Sequence, residues 1–155
     1  MRLVLVALAS LVLSACSMFM RSIEKPQATV RDVQMSSVGF SGVAGELRLD
    51  VMNPNSFGVP LAGIDWELSI GGARAVTGNV TLNQTIPAKG MAPVATSLAI
   101  DARDAVAVAS ALGGGARDYR IRAKLTFSTG VGSVDVHVEH AGQLGGAGGM
   151  LGRIR

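Results

Sequence analysis

The clearest feature of the chain is the alternation of apolar and polar residues in two neighbouring stretches. Every second residue is apolar in Glu46–Met52, and the same alternation dominates Leu61–Ile70. Because successive side chains of a β-strand point to opposite faces, each stretch predicts a strand with one buried face. The residues between them, Asn53–Pro60, are rich in turn formers and predict a loop. Trp66 lies on the apolar side and is interpreted as a core residue rather than a ligand platform, since an indole buries a large apolar area.

Alternation elsewhere predicts five more strands, so the chain is expected to be mainly β-structure. These strands are Thr29–Val38, Val76–Ile86, Val94–Ile100, Tyr119–Phe127 and Val134–Val138. Val30 and Val33 indicate a switch of face within the first of them. The second is long enough to bend at Gly78 or to split in two. Gly39–Gly45 is interpreted as a glycine-rich connection.

One stretch has helical character. Ala102–Leu112 is rich in Ala, which favours a short helix between two strands. Asp101 is a candidate N-cap, Asp104 suits the positive end of the helix dipole, and Gly113 is expected to end the helix.

The last two strands predict an antiparallel hairpin whose tip is Thr129–Gly130. That tip places Leu125 opposite Val134 and Lys124 opposite Asp135. By the same count, Ala123 faces Val136, Ile121 faces Val138, Arg122 faces His137 and Arg120 faces Glu139. Apolar residues then meet apolar residues, and most of the charged pairs have opposite signs.

Several short motifs of the chain resemble the late embryogenesis abundant type 2 family, whose core is also called the WHy domain. They are Val51-Met52-Asn53-Pro54-Asn55, Val59-Pro60-Leu61, Gly71-Gly72 and Ile86-Pro87-Ala88-Lys89-Gly90. The resemblance covers about Lys25 to Gly142. It implies an all-β fold, an immunoglobulin-like or fibronectin III-like antiparallel β-sandwich with one short helix. It also implies a role in stress tolerance, no enzymatic activity, and a structural role for the turn motif Asn53, Pro54 and Asn55.

The N-terminus has the features of a bacterial lipoprotein signal peptide. Arg2 is followed by an apolar run, Leu3–Leu13, that is shorter than the ~20 residues of a membrane-spanning helix. The run ends in a sequence that resembles a lipobox, namely Leu13, Ser14, Ala15 and Cys16. In such lipoproteins the chain is cleaved before the Cys, which carries S-diacylglycerol and an N-acyl chain. An ordinary secretory signal, or a buried free thiol at Cys16, is the alternative.

These features divide the chain into a signal peptide (residues 1–15), a lipidated N-terminus and tether (16–26), a β-sandwich (27–142) and a glycine-rich disordered tail (143–155). Ser17 follows Cys16, where Asp is the usual signal for retention in the inner membrane. We therefore expect an anchor on the periplasmic face of the outer membrane, with the inner membrane as the alternative. Met18, Phe19 and Met20 could dip into the lipid interface, or the tether could be a plain linker.

Composition and charge exclude several classes of function. A formal net charge of +3 over 155 residues gives no basic patch for nucleic acid, and a single Cys excludes an internal disulfide. No P-loop, GxGxxG or CxxC motif occurs, and no cofactor is expected. Asp135, His137 and Glu139 share a strand face, but cross-strand partners account for their charges, so no metal site is expected. The basic stripe Arg120–Lys124 is interpreted as a solvated sheet face rather than a polyanion site.

The sequence therefore predicts a non-enzymatic, lipid-anchored envelope protein. By resemblance, it would protect against water stress or support the envelope by binding proteins or lipids. The alternative is an accessory lipoprotein subunit that docks on a larger envelope complex by strand addition. The sequence leaves the partner and the oligomeric state open.

Overall fold

The fold is given by a computed structural model that describes residues 23–39, 42–73, 76–130 and 132–144. In this part of the chain, seven strands and one helix follow one another. They are β1 Gln27–Gly39, β2 Gly42–Met52, β3 Val59–Ile70, β4 Val76–Ile86, β5 Met91–Asp101, α1 Ala102–Gly113, β6 Asp118–Thr129 and β7 Gly132–Gln143. The predicted order of elements is confirmed.

The strands form two antiparallel sheets that face each other. One has the order β1-β2-β5 and the other the order β4-β3-β6-β7. The chain crosses between the sheets three times, in the loops after β2 and β4 and through helix α1. This is the all-β sandwich with one short helix that the alternation and the family resemblance predicted.

The core lies between the sheets and is made by the apolar faces of the strands. Its fully buried side chains include Leu47, Leu49 and Val51 of β2, Ile64, Leu68 and Ile70 of β3, and Ile121, Leu125 and Phe127 of β6. Trp66 is 4% exposed and belongs to the same cluster, which confirms its prediction as a core residue. Helix α1 adds Ala105 and Val108 to this core.

Strand β1 changes face where the sequence indicated it. The β1–β2 register shifts between Val30 and Asp32, so that Val30 and Val33 are both buried although they lie an odd number of residues apart. The predicted connection over Gly39–Gly45 was too long, because β2 already begins at Gly42. Gly45 is paired within the hairpin, where an added Cβ would lie 2.6 Å from the carbonyl oxygen of Gln34.

Strand β4 is a single continuous strand, so the predicted split is wrong. The irregularity in its pairing with β3 lies between Leu61 and Gly63, far from Gly78. Gly78 has a different reason to be glycine: it is the cross-strand partner of Trp66. An added Cβ would lie 2.2 Å from the indole Cζ2.

Helix α1 has almost its predicted bounds, but its start differs in one respect. Asp101 occupies the N-cap position with extended backbone, yet its side chain makes no capping hydrogen bond. At the other end, the N–H of Gly114 donates to the carbonyl oxygen of Ser110 at 2.9 Å. Gly113, the last helical residue, and Gly114, the C-cap, therefore end the helix.

The predicted register of the β6–β7 hairpin is wrong by two residues. Strand β6 runs to Thr129 and pairs there with Gly132, so Leu125 faces Val136 and Lys124 faces His137. Likewise Ala123 faces Val138, Ile121 faces His140, Arg122 faces Glu139 and Arg120 faces Ala141. A shift of two residues keeps every side chain on its predicted face, which is why the alternation could not exclude the wrong register.

The last strand continues slightly beyond the boundary predicted for the domain. Strand β7 ends at Gln143, and Leu144 is buried, with its N–H donating to the carbonyl oxygen of Arg117 at 2.7 Å. The rest of the predicted tail, residues 145–155, lies outside the described residues. The predicted signal peptide and most of the tether, residues 1–22, do so as well.

Candidate functional site

The motif that carries the family resemblance lies at one end of the sandwich, where β2 crosses to β3. Asn53 is completely buried there. Its Nδ2 donates to the carbonyl oxygens of Phe57 (2.7 Å), Pro87 (3.1 Å) and Ile86 (3.2 Å). Phe57 lies in the same loop as Asn53, whereas Ile86 is the last residue of β4 and Pro87 is the first residue of the loop after it. One side chain therefore ties the two crossing loops together.

Asn55 extends this network to the N-terminal segment. Its backbone N–H and its Nδ2 both donate to the Asn53 Oδ1 at 2.9 Å. Its own Oδ1 accepts from the backbone N–H of Glu24 at 2.9 Å, and its Nδ2 donates to the Glu24 carbonyl oxygen at 2.8 Å. The chain before β1 is thus held on the same end of the sandwich by a pair of hydrogen bonds.

The second motif, Ile86–Gly90, meets the first one directly. The N–H of Asn53 donates to the Gly90 carbonyl oxygen, and the N–H of Lys89 donates to that of Asn55, both at 2.8 Å. The Lys89 ammonium also donates to the carbonyl oxygen of Pro54. Lys89 has a positive φ of 50°, which non-glycine residues adopt rarely. Two motifs more than thirty residues apart in sequence therefore form one connected unit.

We call this end of the molecule the asparagine end, defined by Ile23–Pro26, Met52–Gly58 and Pro87–Met91. Its hydrogen bonds satisfy buried backbone groups, so Asn53 and Asn55 act on the structure of the loops. Nothing in their geometry places a reactive group in a pocket. Cys16 and the other lipobox residues, Leu13, Ser14 and Ala15, lie outside the described residues.

The asparagine end also exposes apolar side chains that the sequence reading missed. Met52 is 46% exposed, Phe57 41% and Met91 65%. Met52 and Met91 are cross-strand partners at the ends of β2 and β5. A signal was present in the sequence: Met52 follows Glu46, Arg48 and Asp50 at the outward positions of its strand.

The outer face of the four-stranded sheet carries charged side chains from β3, β6 and β7. Its basic stripe is paired with acids of the neighbouring strands. Lys124 Nζ lies 2.8 Å from Asp65, and Arg122 lies 3.3 Å from Glu67 and 3.4 Å from Glu139. The hydrogen bond to Asp65, together with the charge of that carboxylate, raises the pKa of Lys124. The predicted contact of Arg120 with Glu139 occurs as a diagonal ion pair at 3.6 Å.

Because they have these partners, neither the basic stripe Arg120–Lys124 nor the acidic side chains of β7 form a free binding site. The depression over this sheet is open, and it is lined by the paired side chains themselves. Asp135 accepts a hydrogen bond from the Thr126 hydroxyl at 2.9 Å. Within the described ranges, no three His, Cys, Asp or Glu side chains converge as a metal site would require. The face is therefore a solvated sheet surface with internal charge balance.

One titratable cluster lies on the core side, at the end of the sandwich opposite the asparagine end. The rings of Tyr119 and His140 lie 5.9 Å apart. Burial, and then the negative charge of Asp32, raise the pKa of the Tyr119 hydroxyl, while a backbone hydrogen bond with Val33 acts in the opposite direction. The ring of Tyr119 packs against Gly142, so the cluster belongs to the packing of β6 against β7.

Fold and site together define a β-sandwich domain whose marked feature is a structural asparagine turn. Residues 48–142 match the model of a family described as late embryogenesis abundant protein, and the chain belongs to this family, LEA type 2. A stretch of 59 residues is 37% identical to the desiccation-related protein PCC27-45 of Craterostigma plantagineum. That stretch is 38% of this chain and spans only 39% of the length of the relative.

Solved structures show the same fold. A late embryogenesis abundant protein known from its solution structure matches with a TM-score of 0.59 and 24% identity, over 89% of this chain and 82% of that one. A protein from Arabidopsis thaliana matches with a TM-score of 0.65 and 23% identity, over 79% and 83%. A protein from Archaeoglobus fulgidus matches at 14% identity with a TM-score of 0.56, over 79% and 96%.

The family suggests a role related to desiccation stress, and its members are generally not enzymes. The described part of the chain contains no helix that is long and apolar enough to cross a membrane.

Proposed function

We propose that this chain is a non-enzymatic protein anchored by lipid to the periplasmic face of the outer membrane, where its LEA type 2 domain protects the envelope during water stress. The observation that carries the proposal is the match of residues 48–142 to a family with a desiccation-related relative. The lipobox at Leu13–Cys16 supports the anchor. The hydrogen bonds between Glu24 and Asn55 support it further, because they give the tether a fixed point of departure.

The charged groups support a role in binding rather than turnover. Catalysis needs an acid, a base or a nucleophile placed together in a pocket. On the outer sheet face Asp65 is paired with Lys124, Glu67 and Glu139 are paired with Arg122, and His140 lies against Tyr119. His137 is exposed on the outer face of β7. Such a surface can contact a protein or a lipid headgroup without chemical change.

The anchor and the protective role are tested in the same cells. Radiolabelled palmitate should label the native protein and fail to label Cys16→Ala. In a strain without the native gene, Cys16→Ala should also fail to restore survival of drying. The matched control is His137→Gln with His140→Gln, which should keep both the label and the protection. Protection by the unlabelled Cys16→Ala protein would contradict the anchored role, and loss of protection in a folded double His variant would bring a chemical role back.

A second candidate function, an accessory subunit of a larger complex, is favoured by the character of strand β4. This strand is an edge of its sheet and contains neither a charged residue nor a Pro. The other edges each carry such a protective residue: Arg31 in β1, Pro93 in β5 and Asp135 in β7. An edge without them can accept an added strand from a partner.

A partner of that kind should be lost when charge is placed on β4. In a pull-down from solubilised envelopes, Asn79→Lys with Thr81→Lys should remove a stoichiometric partner. Ser133→Lys on the β7 edge should keep it. Retention of the partner by both variants would exclude the β4 edge as the contact.

A further inference from the structure

Apolar side chains are exposed at the asparagine end in a way that the fold itself does not require. Four large apolar residues of the described chain are exposed, and three of them, Met52, Phe57 and Met91, lie at this end. The fourth, Val106, is on helix α1 near the opposite end. Pro87 and Ala88 of the neighbouring loop are exposed as well. Grouped exposed apolar residues mark contact surfaces, whereas scattered ones do not.

The three side chains are held on a rigid support. Met52 and Met91 project from paired strand ends, and the N–H of Asn53 donates to the Gly90 carbonyl oxygen just before Met91. The loop that carries Phe57 is fixed by the bond from Asn53 Nδ2 to the Phe57 carbonyl oxygen. The surface therefore exists before any contact is made, and no loop has to be ordered on binding.

Charge separates the two ends of the molecule. In the described segments that define the asparagine end, the charged residues are Glu24, Lys25 and Lys89. At the other end, around helix α1, the charged residues are Asp101, Arg103, Asp104, Arg117 and Asp118. The first end can approach an apolar or anionic surface, while the second is suited to water.

The course of the chain brings lipid to this same end. Glu24 is bonded to Asn55, and only eight residue steps lead from Cys16 to Glu24, which reach at most about 29 Å when fully extended. Strand β5 takes ten steps from Met91 to Asp101, or about 33 Å, which keeps the helix end away from the membrane. If Cys16 is anchored, the apolar end is the part of the sandwich that can reach the bilayer.

We infer that the asparagine end docks on the lipid surface, with Met52, Phe57 and Met91 inserted among the headgroups and Lys25 and Lys89 beside them. The inference rests on the proposed lipid anchor and adds an orientation to it. The hydrogen bonds of Asn53 and Asn55 then have a second effect, because they hold the exposed apolar side chains and residue Glu24 of the tether at the same end of the domain.

Docking is measured on the mature lipidated protein, purified from membranes and reconstituted into vesicles of phosphatidylethanolamine and phosphatidylglycerol. An environment-sensitive fluorophore is coupled to Ala88→Cys in the asparagine end or to Ala102→Cys at the helix end, two exposed alanines. The label at residue 88 should shift to the blue, and spin labels on the lipid acyl chains should quench it several-fold more than the label at residue 102. Vesicles of neutral phosphatidylcholine should keep most of this difference, because the contact is mainly apolar.

The contacts are then removed one set at a time. Met52→Ser, Phe57→Ser and Met91→Ser together should abolish the shift at residue 88, while Val106→Ser, the matched control, should leave it unchanged. Met91→Ser alone should reduce the shift, and it serves as the test if the triple variant folds poorly by Trp66 emission. A shift that survives in the folded triple variant would overturn the inference.

Failure of docking and failure of the anchor give different results. Equal signals from both labels in a protein that floats with the vesicles and carries the lipid by mass would overturn the docking and leave the anchor standing. A native protein that neither carries lipid nor floats would overturn the anchor, and the docking with it.

Discussion

At the scale of single residues, Asn53 has the most partners in the loops that connect the sheets. It is completely buried. Its Nδ2 donates to three carbonyl oxygens, and its Oδ1 accepts hydrogen bonds from the backbone N–H and the Nδ2 of Asn55. An unpaired buried polar group costs about 1–3 kcal/mol, so the loss of one side chain here leaves several groups without a partner. The residue is therefore expected to contribute more to stability than its surface loop position indicates.

Asn53→Ala should lower the free energy of unfolding by about 2–4 kcal/mol. Asn83→Ala, at an exposed position of β4, should change it by less than about 0.5 kcal/mol. Urea unfolding of both variants, followed by circular dichroism, gives the comparison. Similar midpoints for the two variants would mean that water replaces the Asn53 amide without loss.

Gly78 and Trp66 form a second determinant at residue scale. The indole occupies the space that a side chain at residue 78 would need, with Cζ2 at 2.2 Å and Cε2 at 2.6 Å from an added Cβ. The indole Nε1 is buried and has no hydrogen-bond partner among the residues that the structure describes. The position of the ring depends on the absence of a side chain at residue 78.

Gly78→Ala should lower the free energy of unfolding by about 1–3 kcal/mol, because the indole must move within a packed core. The Trp66 emission should shift to the red in the same variant. Gly113→Ala is the matched control, since a Cβ there meets no atom within 4 Å and its φ is not positive. An unchanged emission spectrum for Gly78→Ala would show that the core adapts without moving the ring.

At the scale of elements, the β6–β7 hairpin shows what sets a register. Thr129 pairs with Gly132, which has a positive φ of 135°, and the Thr129 hydroxyl donates to the Gly132 carbonyl oxygen at 2.6 Å. The turn therefore lies one residue later than the sequence indicated. Each charged residue of β6 consequently meets a partner two positions further along β7.

Cysteine pairs on the two strands should report this register. In a Cys16→Ser background, Lys124→Cys with His137→Cys should oxidise to a disulfide readily, because the two residues are direct partners. Lys124→Cys with Asp135→Cys should oxidise slowly, since diagonal positions lie at about 7–8 Å and a disulfide needs Cα atoms within about 7 Å. Faster oxidation of the second pair would restore the register predicted from the sequence.

At the scale of the whole molecule, the two sheets share one core and are joined by the crossing loops. Trp66 lies in the four-stranded sheet, whereas Leu47 and Leu49 bring the three-stranded sheet into the same cluster. If one sheet unfolded, the apolar face of the other sheet would be exposed to water. Single domains with one core usually unfold in one cooperative step.

Unfolding in urea should therefore give the same midpoint by Trp66 fluorescence, which reports one sheet, and by far-ultraviolet circular dichroism, which reports both. Asn53→Ala should move the two midpoints together, because the asparagine network joins loops of both sheets. Separate midpoints in either protein would mean that the sheets unfold independently.

The sequence alone determined the type and order of the elements, the buried face of most strands and the core position of Trp66. The physical reason is local: alternation along a strand fixes which side chains face the core, whatever the strand pairs with. The asparagine motifs were also visible in the sequence, and their family resemblance pointed to the correct fold.

The tertiary structure decided what depends on residues that are distant along the chain. Periodicity of two is unchanged by a shift of two residues, so the alternation could not place Lys124 opposite His137. The alternation could not show that the indole of Trp66, on another strand, fills the space beside Gly78. Nor could it show that the side chain of Asn53 donates hydrogen bonds to the carbonyl oxygens of Ile86 and Pro87. The grouping of Met52, Phe57 and Met91 beside the tether was hidden for the same reason, because an apolar surface forms only when strand ends and loops meet in space.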